Sequence, residues 1–386
     1  MKRANRLFMA YLLAACAMAQ AADNTPQRRE AADKFGAEIE RAFNERDRKA
    51  LNAMIDLHAL ATRAAEYQGL TGAEEQGFVK GAESKGLAPL IDSYFKALDT
   101  SKGKVTYMRV TNQKPPRALV RFELGNQGFN YAEYVLHTDA AGRTRAVDWF
   151  QLTTGDLMSV TLGGIGQMFS GANASLFERM FSGENISRED VANLSKIGDL
   201  YRNGKYAEAL VIFKNLQEPL ASSRILLSAR ATAASYANLP DEYDAALAKL
   251  ASKHADDPAA TFMLIDYHFK RQDVPKVLKS IDTMEKRVGV DGVTRMLRAS
   301  AYMLGNDLEN ALKCADEAIA LESDLLAAQD TRATLLVQLG RFKEAVAAYK
   351  AMETQFGFQF TRDIFTADPV FKQFVASPAF AAWLPE

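Results

Sequence analysis

The chain has 386 residues, with 47 Lys and Arg against 48 Asp and Glu and a formal net charge of -1. That balance argues against nucleic acid or an anionic membrane surface as the main partner, because both attract a basic excess. Cys16 and Cys314 are the only cysteines, so no Cys/His cluster has zinc spacing, and a mature chain that has lost Cys16 has no intramolecular disulfide.

Residues 1–21 are expected to be a signal peptide. Lys2, Arg3 and Arg6 form a basic start, and Leu7 to Ala17 is an apolar run too short to span a bilayer. Two cleavage readings compete. Ala17-Met18-Ala19 and Ala19-Gln20-Ala21 fit signal peptidase I, whereas Leu13-Ala14-Ala15-Cys16 resembles a bacterial lipobox that would lipidate Cys16. Either way the expected location is the periplasm of a Gram-negative cell envelope, as a soluble protein or as a lipoprotein. Membrane contact is expected only through that anchor, since no later run approaches the ~20 apolar residues of a membrane helix. Losing the three basic signal residues takes the net charge from -1 to -4. The remainder is long enough for two domains with their own cores.

A first domain is expected over residues 26–160. Phe35, Ile39, Ala42 and Phe43 mark one helical face. A second helix is expected from Arg48 to Glu66, capped by Asp47. Gly69, Gly72, Gly77, Gly81 and Gly86 read as a loosened stretch. Leu87, Leu90, Ile91, Tyr94, Phe95 and Leu98 mark a third helix.

The period then changes to two. Val105 to Val110 is a strand, and Pro115-Pro116 breaks it. Ala118, Val120, Phe122 and Leu124 alternate with Leu119, Arg121 and Glu123. Gly125-Asn126-Gln127-Gly128 reads as a hairpin turn, Phe129 to His137 as a strand, Asp139 to Gly142 as a turn, and Thr144 to Thr153 as the returning strand. Helices followed by a four-stranded antiparallel meander make an α+β layout. Over about 120 residues this element order resembles the NTF2-like fold, in which helices close the concave face of a bent sheet.

The NTF2-like resemblance implies a ligand pocket between sheet and helices. Tyr131, Glu133, Val135 and His137 share one face of their strand, with Tyr134 on the other. Asp148 stands on the next strand and Tyr107 on the first. An acid, a histidine and tyrosines can do general acid–base work where they converge. The competing reading is a solvated face with cross-strand polar pairs, and a register slip of one residue would exchange the faces. Asp148-Trp149 is expected to anchor the sheet to the repeats. His58 and His254 point to no chemistry.

Residues 161–190 form a connector. Gly163-Gly164-Ile165-Gly166 lacks the Lys-Ser/Thr end of a phosphate loop. Met168, Phe169, Leu176, Phe177, Met180 and Phe181 are apolar at helical spacing and are expected to dock on a neighbouring domain.

Downstream a 34-residue spacing recurs: Ile265, Ala299, Ala333; His268, Tyr302, Leu336; Val277, Ala311, Ala345; Ile281, Ala315, Tyr349. These columns resemble the tetratricopeptide repeat. The best units are Ala299, Tyr302, Ala311, Ala315, Ala318 and Ala333, Leu336, Gly340, Phe342, Ala345, Tyr349. A unit around Gly198, Tyr201, Gly204, Tyr206, Ala209 and Phe213 reads as one residue short between its helices. One around Ala233, Tyr236, Tyr243 and Ala246 reads as out of phase. About five helical hairpins are expected over residues 191–353, forming an all-α superhelix in which the stack is the folding unit. Short capping helices are expected over 354–386, where Asp368-Pro369 and Ser377-Pro378 pair a cap residue with proline.

In the tetratricopeptide geometry, the first helix of each repeat lines a groove. The resemblance therefore implies Phe262, Asp266 and Phe269, then Met296, Ser300 and Met303, then Asp330, Thr334 and Val337 as lining residues. The set is apolar with a few acidic points. It lacks the Lys, Asn and Arg with which this family clamps carboxylate tails. Methionine and phenylalanine adapt to varied apolar ligands. The competing reading is that these residues pack against the chain itself, for instance by Phe356-Gly357-Phe358-Gln359-Phe360 folding back. No H-E-x-x-H, G-x-S-x-G, P-loop or calcium-loop motif is present. The expectation is an exported scaffold, adaptor or assembly factor that binds a protein or peptide in the envelope. No cofactor, metal or chemistry of its own is expected. The alternative is a small-molecule-binding or hydrolytic NTF2-like domain with an accessory repeat array.

Overall fold

The computed structural model describes residues 26–125, 128–168 and 187–385. Helix α1 (Pro26–Asn44) buries Phe35, Gly36, Ile39, Ala42 and Phe43 along the expected face. Gly36 is required there. A Cβ on it would lie 2.1 Å from the ring of Tyr107, whose hydroxyl donates to Asp33 at 2.7 Å.

The single helix expected from Arg48 to Glu66 is two, α2 (Arg48–Met54) and α3 (Leu57–Tyr67). Asp47 caps the first as expected, accepting from the Ala50 amide at 2.9 Å. Asp56 caps the second at Ala59. Aspartate in mid-helix competes with the helix for backbone donors, and here it wins because the break has a partner. The Asp56 amide donates to the Ala146 carbonyl at 2.8 Å. The glycine-loosened stretch is helix α4 (Ala73–Lys85), with Gly77 and Gly81 inside it and positive-φ Gly72 and Gly86 at its ends. Helix α5 (Ala88–Ser101) buries Ile91, Phe95 and Leu98.

The sheet runs β1 (Lys104–Val110), β2 (Ala118–Glu123), β3 (Phe129–Thr138), β4 (Thr144–Gln151) and β5 (Asp156–Leu157), in that spatial order and antiparallel throughout. Five strands replace the expected four, because a two-residue strand carries no periodicity to read. The β3–β4 register shifts beside Val147, so that Ala146 faces Leu136 and Trp149 faces Tyr134. This bulge turns two residues three apart onto one face. That face joins Phe35, Phe43, Ile91, Phe95, Val120, Phe122 and Tyr134 in the core.

Helix α6 (Met158–Met168) occupies the start of the expected connector. Phe169, Leu176, Phe177, Met180 and Phe181 lie outside the described residues, as does the signal segment with Cys16. Gly163 sits against α3, where a Cβ would meet the Ala64 carbonyl at 2.8 Å. The glycine cluster thus belongs to a helix packed against another helix.

Ten helices follow: α7 (Arg188–Arg202), α8 (Tyr206–Asn215), α9 (Arg224–Tyr236), α10 (Pro240–His254), α11 (Pro258–Lys270), α12 (Val274–Val288), α13 (Gly292–Leu304), α14 (Leu308–Leu321), α15 (Leu326–Gln338) and α16 (Phe342–Phe356). They form five pairs, each joined by three residues. From α9 onward, first helices begin at 224, 258, 292 and 326 and second helices at 240, 274, 308 and 342. Both series step by 34. The joining turns repeat too, with positive φ at Asn238, Gln272, Asn306 and Gly340.

Two expectations fail here. The α9–α10 pair is in phase, with Ala231 and Ala234 fully buried in the columns assigned to Ala233 and Tyr236. The α7–α8 connection is not short, and Ile197 and Leu200 hold the columns assigned to Gly198 and Tyr201. In both cases the aromatic that marked the column stands one or two residues beyond it.

The C-terminal segment contains α17 (Arg362–Thr366), a 3-10 turn (Pro369–Phe371), α18 (Lys372–Val375) and α19 (Pro378–Trp383). Asp368 and Ser377 cap the turn and α19 at Val370 and Phe380. Contacts divide the chain into two units, after Ala255. In the first, Arg224 of α9 binds the Asp156 carboxylate at 2.9 Å and the Thr154 carbonyl at 2.7 Å. The link between sheet and helical pairs is therefore β5, not Asp148-Trp149.

Candidate functional site

In the second unit the first helices α11, α13 and α15 carry the expected lining residues. Asp257 caps α11 at Ala259 with Pro258 in the first turn, and Asp291 and Thr294 form a capping box on α13. Ala299 and Ala333 have no exposed surface, and such small residues let helices approach closely. Two ion pairs, Arg298 to Asp282 and Arg332 to Asp316, each at 2.6 Å, tie a first helix to the second helix of the preceding pair. They too are 34 residues apart, and column reading overlooked them because no apolar residue marks them.

The lining residues divide in three. Phe262, Phe269 and Met296 are half-buried, and Ser300 is exposed with its hydroxyl returned to the Met296 carbonyl. Val337 is 4% exposed and belongs to the C-terminal core. Met303 packs against that same core, and Thr334 is half-buried. Val337 and Met303 are thus wholly or partly committed to the chain's own packing.

Asp266 and Asp330 form the third group. By surface area both are exposed. Yet desolvation pushes both carboxyls above the ordinary carboxylate range, with Lys270 pulling Asp266 back down and no cation acting on Asp330.

The Phe356–Phe360 segment is held by the C-terminal cap. Phe360 lies 5.1 Å from the Tyr349 ring and 5.9 Å from Trp383, and Trp383 stacks on Tyr349 at 5.5 Å and 9°. Arg362 locks the cap, with its guanidinium 5.2 Å from the Phe380 ring and a bond to the Leu384 carbonyl. Phe358 remains 40% exposed.

The candidate groups of the sheet do not all converge: Asp148 faces Val135 and so lies diagonal to Glu133 on one face, while the others stand apart. Glu133 is buried and binds Arg117 at 3.1 Å. His137, four residues along the strand and so about 13 Å away, is exposed. Asp148 accepts from the Trp149 and Ser159 amides and from the Ser159 hydroxyl, which makes it the starting cap of α6. Tyr107 binds Asp33. Tyr131 is buried on the Glu133 face, while Tyr134 packs between Phe35 and Trp149 on the opposite one. Between sheet and helices, Phe43, Tyr94 and Phe122 pack with ring centroids 5.1 to 5.7 Å apart. Burial pushes the Tyr94 hydroxyl up to about 12.

His58 pairs with Glu83 at the surface, and His254 meets the Ser222 carbonyl. His268, absent from the lining set, is buried in its column, and desolvation lowers its pKa. Cys314 is buried and burial raises its thiol pKa. Among the described residues, no group of three or more His, Cys, Asp or Glu is placed to hold a metal, and no helix is long and apolar enough to cross a membrane. No protein-family model matches this chain, and no curated protein matches it.

Proposed function

We propose that this chain is an exported interaction scaffold of the cell envelope. Its tetratricopeptide-like first-helix face over α11, α13 and α15 takes a protein or peptide partner, and it does no chemistry of its own. The observation that carries the reading is the repeated first-helix face itself, which presents the exposed Asp266, Ser300 and Asp330 and the half-buried Phe262, Phe269 and Met296 at equivalent positions of the 34-residue step. Side chains of that mixed kind on one face are what a peptide groove needs. The 34-residue step of helices, turns and ion pairs supports the repeat reading. On the sheet, by contrast, Glu133 is engaged by Arg117, Asp148 by Trp149 and Ser159 and Tyr107 by Asp33, while His137 is exposed four residues beyond Glu133.

The test is crosslinking capture from envelope extracts by the wild type and by Met296→Glu. Met296 is the better position, since Met303 contacts the core and a charge there endangers the fold. A partner held by the wild type and lost by a folded Met296→Glu protein supports the groove. An unchanged partner set removes it, and Glu133→Ala or His137→Ala then becomes the variant to examine.

A further inference from the structure

The sheet has two edges, and they are closed by different means. At one edge, β5 pairs with Phe150 and Gln151 of β4, and the Asp56 amide donates to the Ala146 carbonyl. Those bonds run from backbone to backbone. At the other edge, β1 pairs with β2 on one side, and among the described residues no strand pairs with it on the other. A strand in that position presents a row of outward amides and carbonyls on which another strand can form.

Side chains of α1 answer that row. The Val105 amide donates to Asn44 Oδ1, and the Val105 carbonyl accepts from Asn44 Nδ2, both at 2.8 Å. The Asn44 amide thus returns both bonds, as a residue of a neighbouring strand would. The Tyr107 amide donates to Glu40 Oε2 at 2.6 Å. The Tyr107 hydroxyl donates to Asp33, and its ring lies against Gly36. Asp33, Gly36, Glu40 and Asn44 are three or four residues apart, so they form one stripe of the helix, laid along β1. Asn44 is exposed and Glu40 half-buried, so shortening these side chains opens the strand's backbone to solvent.

We propose that Asn44 and Glu40 are a built-in block on strand addition, and that the partner they exclude is the β1 edge of a second copy of this chain. A two-fold axis through Thr106 would set Val105 of one copy opposite Tyr107 of the other in an antiparallel pair. Each outward amide would then meet an outward carbonyl, and the same four residues would be satisfied on both sides. The strand suits such pairing, since Val105, Thr106, Tyr107 and Val110 are β-branched or aromatic. The inference is independent of the groove on the first helices.

The test measures mass by light scattering over a range of concentrations for the full chain and for Asn44→Ala/Glu40→Ala. The wild type is expected to hold one mass, whereas the variant's mass should climb to twice that value as concentration rises. Hydrogen exchange at the Val105 and Tyr107 amides separates the block from a merely structural role. Both amides should exchange faster in the dilute variant and regain protection in the associated form, because a second strand replaces the lost acceptors. Glu40→Gln keeps the acceptor without its charge and should behave as the wild type. Glu40→Ala alone leaves both Asn44 bonds in place and carries the test if the double variant does not fold. A folded variant of constant mass overturns the proposal. So does association that leaves the two amides unprotected, or a Glu40→Gln protein that associates as Glu40→Ala does.

Discussion

Asp148 and Asp330 are both aspartates on regular elements, and the protein uses them in opposite ways. Asp148 has no exposed surface and spends its carboxylate on the Trp149 and Ser159 amides and the Ser159 hydroxyl. Asp330 is exposed, crowded and bound to no cation. The same contrast separates their surroundings. On the sheet, Glu133 is satisfied by Arg117 and Tyr107 by Asp33. On the first helices a carboxylate is left where a second molecule can reach it. An ionisable group marks a binding surface when its neighbours leave it unanswered, whatever its residue type.

That contrast can be broken at several points. The largest effect is expected at Gly36, because the new Cβ of Gly36→Ala would meet a Tyr107 ring pinned by Asp33. Overpacking of this kind costs about 2–3 kcal/mol, read as a lower denaturant midpoint, and Gly36→Ala/Tyr107→Leu should recover part of it. A neutral Gly36→Ala would mean the sheet domain is looser than its contacts state. Next comes Asp148→Ala, which leaves the Ser159 amide and hydroxyl buried without their acceptor and should cost about 1–3 kcal/mol. If urea melts of this variant match the wild type, Asp148 is not the cap of α6.

Smaller effects are expected in the second unit, and of opposite sign. Gln272 holds a positive φ that glycine adopts without strain. Gln272→Gly should therefore raise stability by about 0.5–1 kcal/mol, read in the thermal midpoint. Smallest is Asp330→Asn. Burial raises the folded carboxyl above its ordinary value, so the folded state holds that proton more tightly than the unfolded chain does. Wild-type stability then falls as pH rises through the window between the two values. The variant lacks that step, so its thermal midpoint should equal the wild type's below this window and exceed it slightly at neutral pH. A midpoint below the wild type's at neutral pH would show that Asp330 has a partner within the chain.

The sequence shows what is periodic and hides what is paired at long range. Ala299 and Ala333 disclose the repeat because packing leaves room only for small side chains there. Tyr201 and Tyr236 mislead the phase because an aromatic at the end of a first helix lies near its column without occupying it. The bulge beside Val147, the two-residue β5 and the Asp56 break depend on partners on other elements, and no local pattern announces them. The lining columns of α11, α13 and α15 follow from the spacing taken together with the tetratricopeptide resemblance. Which members stay on the surface does not, since Val337 and Met303 are drawn into a core.

The recurring positive-φ turn makes each helix pair a cassette. Asn238, Gln272, Asn306 and Gly340 place one bend at one step, and the helices on either side begin at the same step. Excising residues 292–325 would join Asp291 directly to Leu326, with every later residue arriving at the angle it already has. Removing one residue more or fewer would rotate the next helix by about 100° and turn its buried alanines to water. A block of 34 residues is thus the change in length that this region accommodates without turning a helix over.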